Sequence, residues 1–402
     1  MPTGAAWITA REAASRLDVK LATLYAYASR GLVKSVPAPS GRGRRYDAAS
    51  IAQLRKRHDA RAGHAAVAVD ALQWGEPSLE TGICEIRTDG PAYRGESAVA
   101  LCARGESFES VADLLWEGKL GPGRWTARPL ALAVPARVER AHPFAYLAAA
   151  VSLAAVHDEA RHGASVADEL ARARRLVPWL ASIVGGRRTR APLGASIAAR
   201  VLIGFGVTPA PRVVRMVDRA LILCADHELN ASTFATRVTA STGADLYACL
   251  GTGLFALSGP LHGGVSARVE ALLREIGQPA RAREVVRARL ARGEQIPGFG
   301  HRLYESSGDP RAHALLALAG TGRKRELARI EALRTAMAEA RQPMPNLDLG
   351  LVALTQAAQL PEGSAAALFA IGRLAGWIAH ALEQRAQGYL LRPRARYVAS
   401  SR

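Results

Sequence analysis

Along most of the chain, apolar positions recur every three to four residues instead of alternating. Residues 166–180 (VADELARARRLVPWL) and 365–384 (AAALFAIGRLAGWIAHALEQ) hold this spacing throughout, which predicts helices. Gly and Pro fall between such stretches, at Pro209–Pro211 and Gly298–Gly300, and mark helix ends and turns. Only residues 83–87 and neighbouring short runs read as strands. The longest apolar run, Phe144 to Val156, is shorter than the ~20 residues a membrane span needs. From about Trp74 onward the pattern therefore predicts one long all-α body.

The first 60 residues are patterned differently. Thr9 with Glu12 three residues later makes a capping box, opening a short helix that runs to about Leu17. Asp18–Val19 fits a tight turn. A second helix begins near Leu21 and is expected to present Lys20, Thr23, Tyr25, Tyr27 and Arg30 outward. Ala13, Leu17, Val19 and Leu24 pack the two helices together. Gly31–Val33, the basic loop Ser40–Tyr46 (SGRGRRY) and a helix over about Ala48 to Arg57 follow. The order helix, turn, helix, basic wing, helix resembles the winged helix-turn-helix domain of the MerR and excisionase type. That resemblance implies a second helix in the DNA major groove, with Arg42, Arg44 and Arg45 on phosphates or the minor groove. Residues 61–74 read as an Ala-rich linker.

Charge sharpens this picture. The 402-residue chain carries +18 in all, and residues 1–62 hold 12 Lys and Arg against 4 Asp and Glu. Almost half of the excess thus lies at one end, as a polyanion partner would require. Elsewhere composition is ordinary, at 49% hydrophobic and 22% charged, enough to bury a large core. Cys84, Cys102, Cys224 and Cys249 lie far apart without metal-type spacing, and are expected to be reduced and buried. With no secretory pattern at the N-terminus, the expectation is a cytoplasmic protein with no metal and no membrane contact.

Four patches in the body carry chemistry: ADHELNASTF (225–234), GPLHGG (259–264), GFGHR (298–302) with DPR (309–311), and PNLD (345–348). The chain holds only 10 histidines, and three sit in these patches. His262, between Gly-Pro and Gly-Gly, has a backbone free for close approach at a helix start, where imidazolium is disfavoured. His301 lies in a Gly-rich turn. Asp348, between Pro-Asn and an apolar run, is placed for partial desolvation, which raises a carboxyl toward the range of a usable base. One carboxylate and two imidazoles suit proton abstraction beside a carbonyl.

The patches, in this order and spacing, resemble the citrate synthase family. The segments LETGICEIRTDGPAYRG, IGRLAGWIAHALEQ and LLRPRARY extend the resemblance over roughly residues 78–400. It implies a two-domain helical fold: a large domain over 75–262, a small domain over 263–353, and a return to the large domain over 354–402. It further implies that Asp348 removes a methyl proton from acetyl-CoA. His262 would stabilise the enol or enolate, and His301 would polarise the 2-oxo carbonyl of oxaloacetate. His227, Arg311 and Arg373 would hold the dicarboxylate, and Arg392 would reach a neighbouring subunit's site. The turn Ile296, Pro297, Gly298, Phe299, Gly300 would meet the CoA adenine, with Asn230 and Arg302 near the cleft. No tightly bound cofactor is implied, and at least a homodimer is. One departure stands out: Val265–Ser266 follows Gly263–Gly264 where the family commonly has Ala-Asn. It leaves acetyl-CoA against propionyl-CoA, hence citrate against 2-methylcitrate synthesis, open. Two further readings compete: a DNA-binding regulator whose body senses metabolites, and an N-terminal unit serving only dimerisation or docking.

Overall fold

The computed structural model describes residues 7–17, 19–38, 43–52, 54, 79–134, 143–163, 165–186, 191–304, 308–321 and 324–393. The expected tight turn at Asp18, Arg42 of the basic loop, the helix end at 55–57, the linker 61–74 and the tail beyond 393 lie outside these residues. The chain divides into two compact units, Met1–Glu80 and Thr81–Arg402.

In the first unit, strand β1 (Trp7–Ile8) leads into helices α1 (Ala10–Leu17) and α2 (Leu21–Ser29), then strands β2 (Ser35–Pro37) and β3 (Arg44–Asp47). The capping box forms: Thr9 N–H donates to Glu12 Oε2 (2.9 Å) and Glu12 N–H to Thr9 Oγ1 (3.3 Å). β3 lies between β1 and β2, both antiparallel to it, with Ile8 and Ser35 opposite Tyr46. Residues 48–52 are helical. Ala13, Leu17, Leu24, Val33, Tyr46 and Ile51 form the core, with Val19 packed against it. Tyr27 also packs against this core and is half-buried, so it departs from the expected outer position. It lies three residues after Leu24 and therefore shares the helix face that Leu24 buries.

The second unit is mostly helical, as its periodicity predicts. It opens with an antiparallel sheet of β4 (Cys84–Arg87), β5 (Gly90–Tyr93) and β6 (Glu96–Ser97). The strand signal at 83–87 was thus the first part of a meander. Helices follow as α3 (Ala98–Arg104), α4 (Phe108–Glu117), α5 (Pro143–Val156), α6 (Val166–Ile183), α7 (Ile197–Gly204), α8 (Pro211–Cys224), α9 (Ala231–Ser241) and α10 (Leu246–Leu257). Then come α11 (Val265–Ile276), α12 (Ala282–Ala291), α13 (Pro310–Gly320), α14 (Lys324–Glu339), α15 (Leu347–Ala357) and α16 (Ser364–Gln387).

α16 is the central helix. By length and apolarity it could cross a membrane, but it is buried inside the unit, with side chains from Ser364 to Ala381 out of solvent. It packs on α4, α8, α9 and α10. α15 packs on α13 and α11, and α14 on α12. All four cysteines are free and buried, as expected from their spacing.

Candidate active site

Helix starts converge on the chemical patches, and those of α9, α13 and α15 are set by side-chain caps. Asn230 caps α9: its Oδ1 accepts from Thr233 N–H (3.2 Å) and from Ser232 Oγ–H (2.8 Å). This fixes Ser232, whose Oγ also accepts from Trp377 Nε1 (3.3 Å) and lies 2.9 Å from His262 Nε2. The Gly263 that follows His262 is obligatory, since a Cβ there would sit 2.6 Å from the Leu257 carbonyl oxygen. Three residues after His262, α11 begins, and its Ser266 donates to Asp348 Oδ1 at 2.6 Å. Asp348 occupies the first turn of α15, capped by Asn346, whose Oδ1 accepts from Asp348 N–H (3.1 Å).

The turn Ile296–Gly300 is fastened to the approach to α15. Gly300 N–H donates to Met344 O (2.8 Å), Asn346 N–H to Gly298 O (2.9 Å), and Asn346 Nδ2 to Gly300 O (3.1 Å). His301 then faces His227 edge-on, ring centroids 5.2 Å apart. Tyr304 joins them, its hydroxyl 2.9 Å from His227 Nε2. Leu303 N–H donates to His301 Nδ1 (3.2 Å), so the neutral ring carries its proton on Nε2. Arg311, only 2% exposed, grips Asp309 with two bonds of 3.0 and 2.8 Å. Asp309 Oδ2 also accepts from Leu347 N–H, tying the start of α13 to the start of α15.

Arg373 completes the cluster from α16. It is 1% exposed, its Nε donates to Cys224 O (2.8 Å), and its guanidinium lies 4.8 Å from the Phe369 ring. Its Nη1 has no hydrogen-bond partner. A buried guanidinium with an idle donor is a ready receptor for a carboxylate.

Burial and charge push the titrating groups in opposite directions. Burial raises the Asp348 carboxyl to about 6, against the Ser266 hydrogen bond and the positive charge of Arg311. Burial and Arg373 lower His262 to about 4; burial and Arg311 lower His301 to about 4. Burial, Arg311, His301 and Arg373 hold His227 far below its ordinary value. At neutral pH the cluster therefore presents two carboxylates, Asp348 and the Asp309 paired with Arg311, with three neutral imidazoles and two guanidiniums. The neutrality of His262 comes from burial and Arg373, where a helix terminus was the expected cause.

Of the expected site residues, His227, His262, His301, Asp348, Arg311 and Arg373 thus gather in one cluster, with Ile296–Gly300 adjoining it. Asn230 acts as a cap, and Arg302 is exposed. Arg392 is exposed as well. Its neighbour Leu391 donates to Ser241 Oγ (3.0 Å), nine residues along α9 from Ser232. That separation is roughly 14 Å of helix, so within one chain Arg392 stands away from the cluster. Ser232, Ser266, Asp309 and Tyr304 are the contributors that sequence reasoning gave no role.

In the first unit, Lys20, Tyr25, Arg30, Arg44 and Arg45 are exposed and Thr23 is half-buried. Arg11, Leu21, Tyr25, Arg44 and Arg45 line one open cleft of about 720 Å³. Arg44 is braced by Ser35, its Nε donating to Ser35 Oγ (2.9 Å).

Known proteins share the arrangement of the second unit. The family described as citrate synthase, C-terminal domain, matches residues 71–394. A protein of Mycobacterium tuberculosis named putative citrate synthase 2 is 35% identical, over 81% of this chain and 91% of its own length. A 2-methylcitrate synthase of the same organism is 34% identical, over 85% and 91%. The Thermoplasma acidophilum citrate synthase, solved as a ternary complex with carboxymethyl coenzyme A and oxaloacetate, superposes with a TM-score of 0.69 at 26% identity. That match covers 81% of this chain and 95% of the other. The chain accordingly belongs to the citrate synthase family, acyltransferase-type enzymes that perform citrate synthase-type condensation on coenzyme A thioesters.

Proposed function

We propose that this protein condenses acetyl-CoA with oxaloacetate and hydrolyses the product to citrate and CoA, with the six clustered residues as its machinery. The observation that carries this reading is a carboxyl raised to about 6 by burial, within a cluster of neutral imidazoles and a buried guanidinium with an idle donor. Asp348 takes a proton from the acetyl methyl group. His262 donates to the thioester oxygen as charge develops there. For this the Ser232 hydroxyl proton turns from Asn230 to His262 Nε2, which places the imidazole proton on Nδ1. His301 Nε2–H polarises the 2-oxo carbonyl, and the enol carbon attacks it to form citryl-CoA. Water then cleaves the thioester, releasing CoA thiol and citrate. Arg373 and Arg311 receive the dicarboxylate with His227, and the turn Ile296–Gly300 meets the CoA adenine.

The same proposal makes residues 263–353 the small domain, which closes over the substrates and excludes water. It also makes the working form at least a homodimer, in which Arg392 serves the neighbour's site, and places the protein in the cytoplasm. Free-thiol release from acetyl-CoA and from propionyl-CoA, each with and without oxaloacetate, tests the reading. Oxaloacetate-dependent release that falls roughly 10²–10⁴-fold in Asp348→Asn is expected. Faster turnover of propionyl-CoA would make the enzyme a 2-methylcitrate synthase, and no release with either donor would overturn the catalytic reading.

A second activity is favoured by the first unit. Its exposed Lys20, Arg30, Arg44 and Arg45, beside the exposed Tyr25, suit a winged helix-turn-helix domain that binds DNA through phosphate contacts.

A further inference from the structure

Ser266 is 1% exposed on the first turn of α11. Its hydroxyl donates to Asp348 Oδ1 at 2.6 Å, and its backbone N–H also addresses the same carboxylate. Asp348 thus lies against the positive end of α11 and is held there by a side chain. The same short stretch, His262 to Ser266, carries the imidazole proposed to act on the thioester. Holding a base at a fixed position relative to its partner is where an enzyme gains most from orientation.

We propose that Ser266 is a positioning residue that clamps Asp348 by Oδ1, orients Oδ2 as the proton-abstracting atom, and couples its placement to that of His262. This rests on the catalytic reading of Asp348 given above. The hydroxyl meets the carboxylate directly, with nothing between them. The charged and titratable groups facing Asp348 from the surrounding elements are Arg311 and Asp309 at the start of α13 and the Cys224 thiol at the end of α8. Arg373 on α16 is turned to the Cys224 carbonyl. Arg311 is already engaged by Asp309, and among the described residues Ser266 is the side chain that bonds the Asp348 carboxylate.

The test compares wild type, Ser266→Ala and Ser266→Thr in thiol release across pH. It is paired with a 13C NMR titration of the aspartate carboxyls, in which Asp348→Asn assigns the Asp348 signal. In Ser266→Ala, kcat is expected to fall about tenfold with little change in either KM, as a lost hydrogen bond to a charged group predicts. The acidic limb and the Asp348 titration are both expected to move upward by about one pH unit, and Ser266→Thr restores both. An unmoved Asp348 titration in a folded Ser266→Ala protein overturns the clamp. Should wild type release no thiol while the titration still moves upward in Ser266→Ala, the clamp stands and the condensing reading falls.

Discussion

Asp348 and the two histidines are displaced in opposite directions, and the signs have separate consequences for stability. The Asp348 carboxyl rises from near 3.8 to about 6, so between those values the folded chain holds a proton that the unfolded chain has released. Its contribution to stability is therefore lost as pH climbs through that window. Asp348→Asn removes the buried charge and is expected to stabilise the protein by roughly 1–2 kcal/mol at pH 8. Below about pH 4 the gain disappears; urea unfolding at both pH values reads the difference. His262 and His301 carry the reverse sign: lowered to about 4, their contribution is full above the ordinary value of 6.5 and is lost as pH falls toward 4. The residues of the site were legible because each sits in a local motif of Gly, Pro, Asn or Asp. The roles of Ser232 and Ser266 were not, because their partners lie 30 and 82 residues away, and serines leave no periodic or compositional signal.

Among the elements, α16 shows what periodicity can and cannot reveal. Its apolar spacing predicts a helix over 365–384, and one forms over Ser364–Gln387. How closely it approaches its neighbours depends on two glycines that no pattern distinguishes. A Cβ on Gly372 would sit 2.7 Å from the Leu221 carbonyl oxygen of α8. One on Gly376 would overlap Asp226 Oδ2 and lie 2.5 Å from Ala225 O, to which the Gly376 N–H donates at 3.0 Å. The backbone before His227 is thus pressed against α16 at this crossing. Gly376→Ala is expected to destabilise the protein by about 3 kcal/mol or more, since the Ala225 carbonyl is backbone and Asp226 is fully buried with little room to turn aside. Thermal unfolding should show a Tm lowered by several degrees. The sheet β4–β6 was only partly legible for a related reason. Its strands are two to four residues long, too short for alternation to separate them from turns.

The chain divides into two units, and the activity proposed for each is tested separately. Duplex DNA of random sequence, titrated with salt, reads the first: neutralised phosphates release counterions, so affinity falls steeply with salt. Replacing Arg44 and Arg45 by Ala is expected to flatten the log–log salt slope by about 2, one for each lost phosphate contact, with thiol release unchanged. Binding absent even at low salt would end the DNA-binding reading. In the second unit, the guanidinium of Arg373 is out of water with Nη1 unbonded, and burial lowers its pKa. A buried guanidinium with an idle donor weakens the folded protein, whereas a ligand carboxylate that meets that donor binds the folded chain alone and shifts the folding balance toward it. A dicarboxylate seated on Arg373 would then act as a chaperone of its own catalyst. The lifetime of the protein under heat or proteases would follow the concentration of the metabolite it consumes.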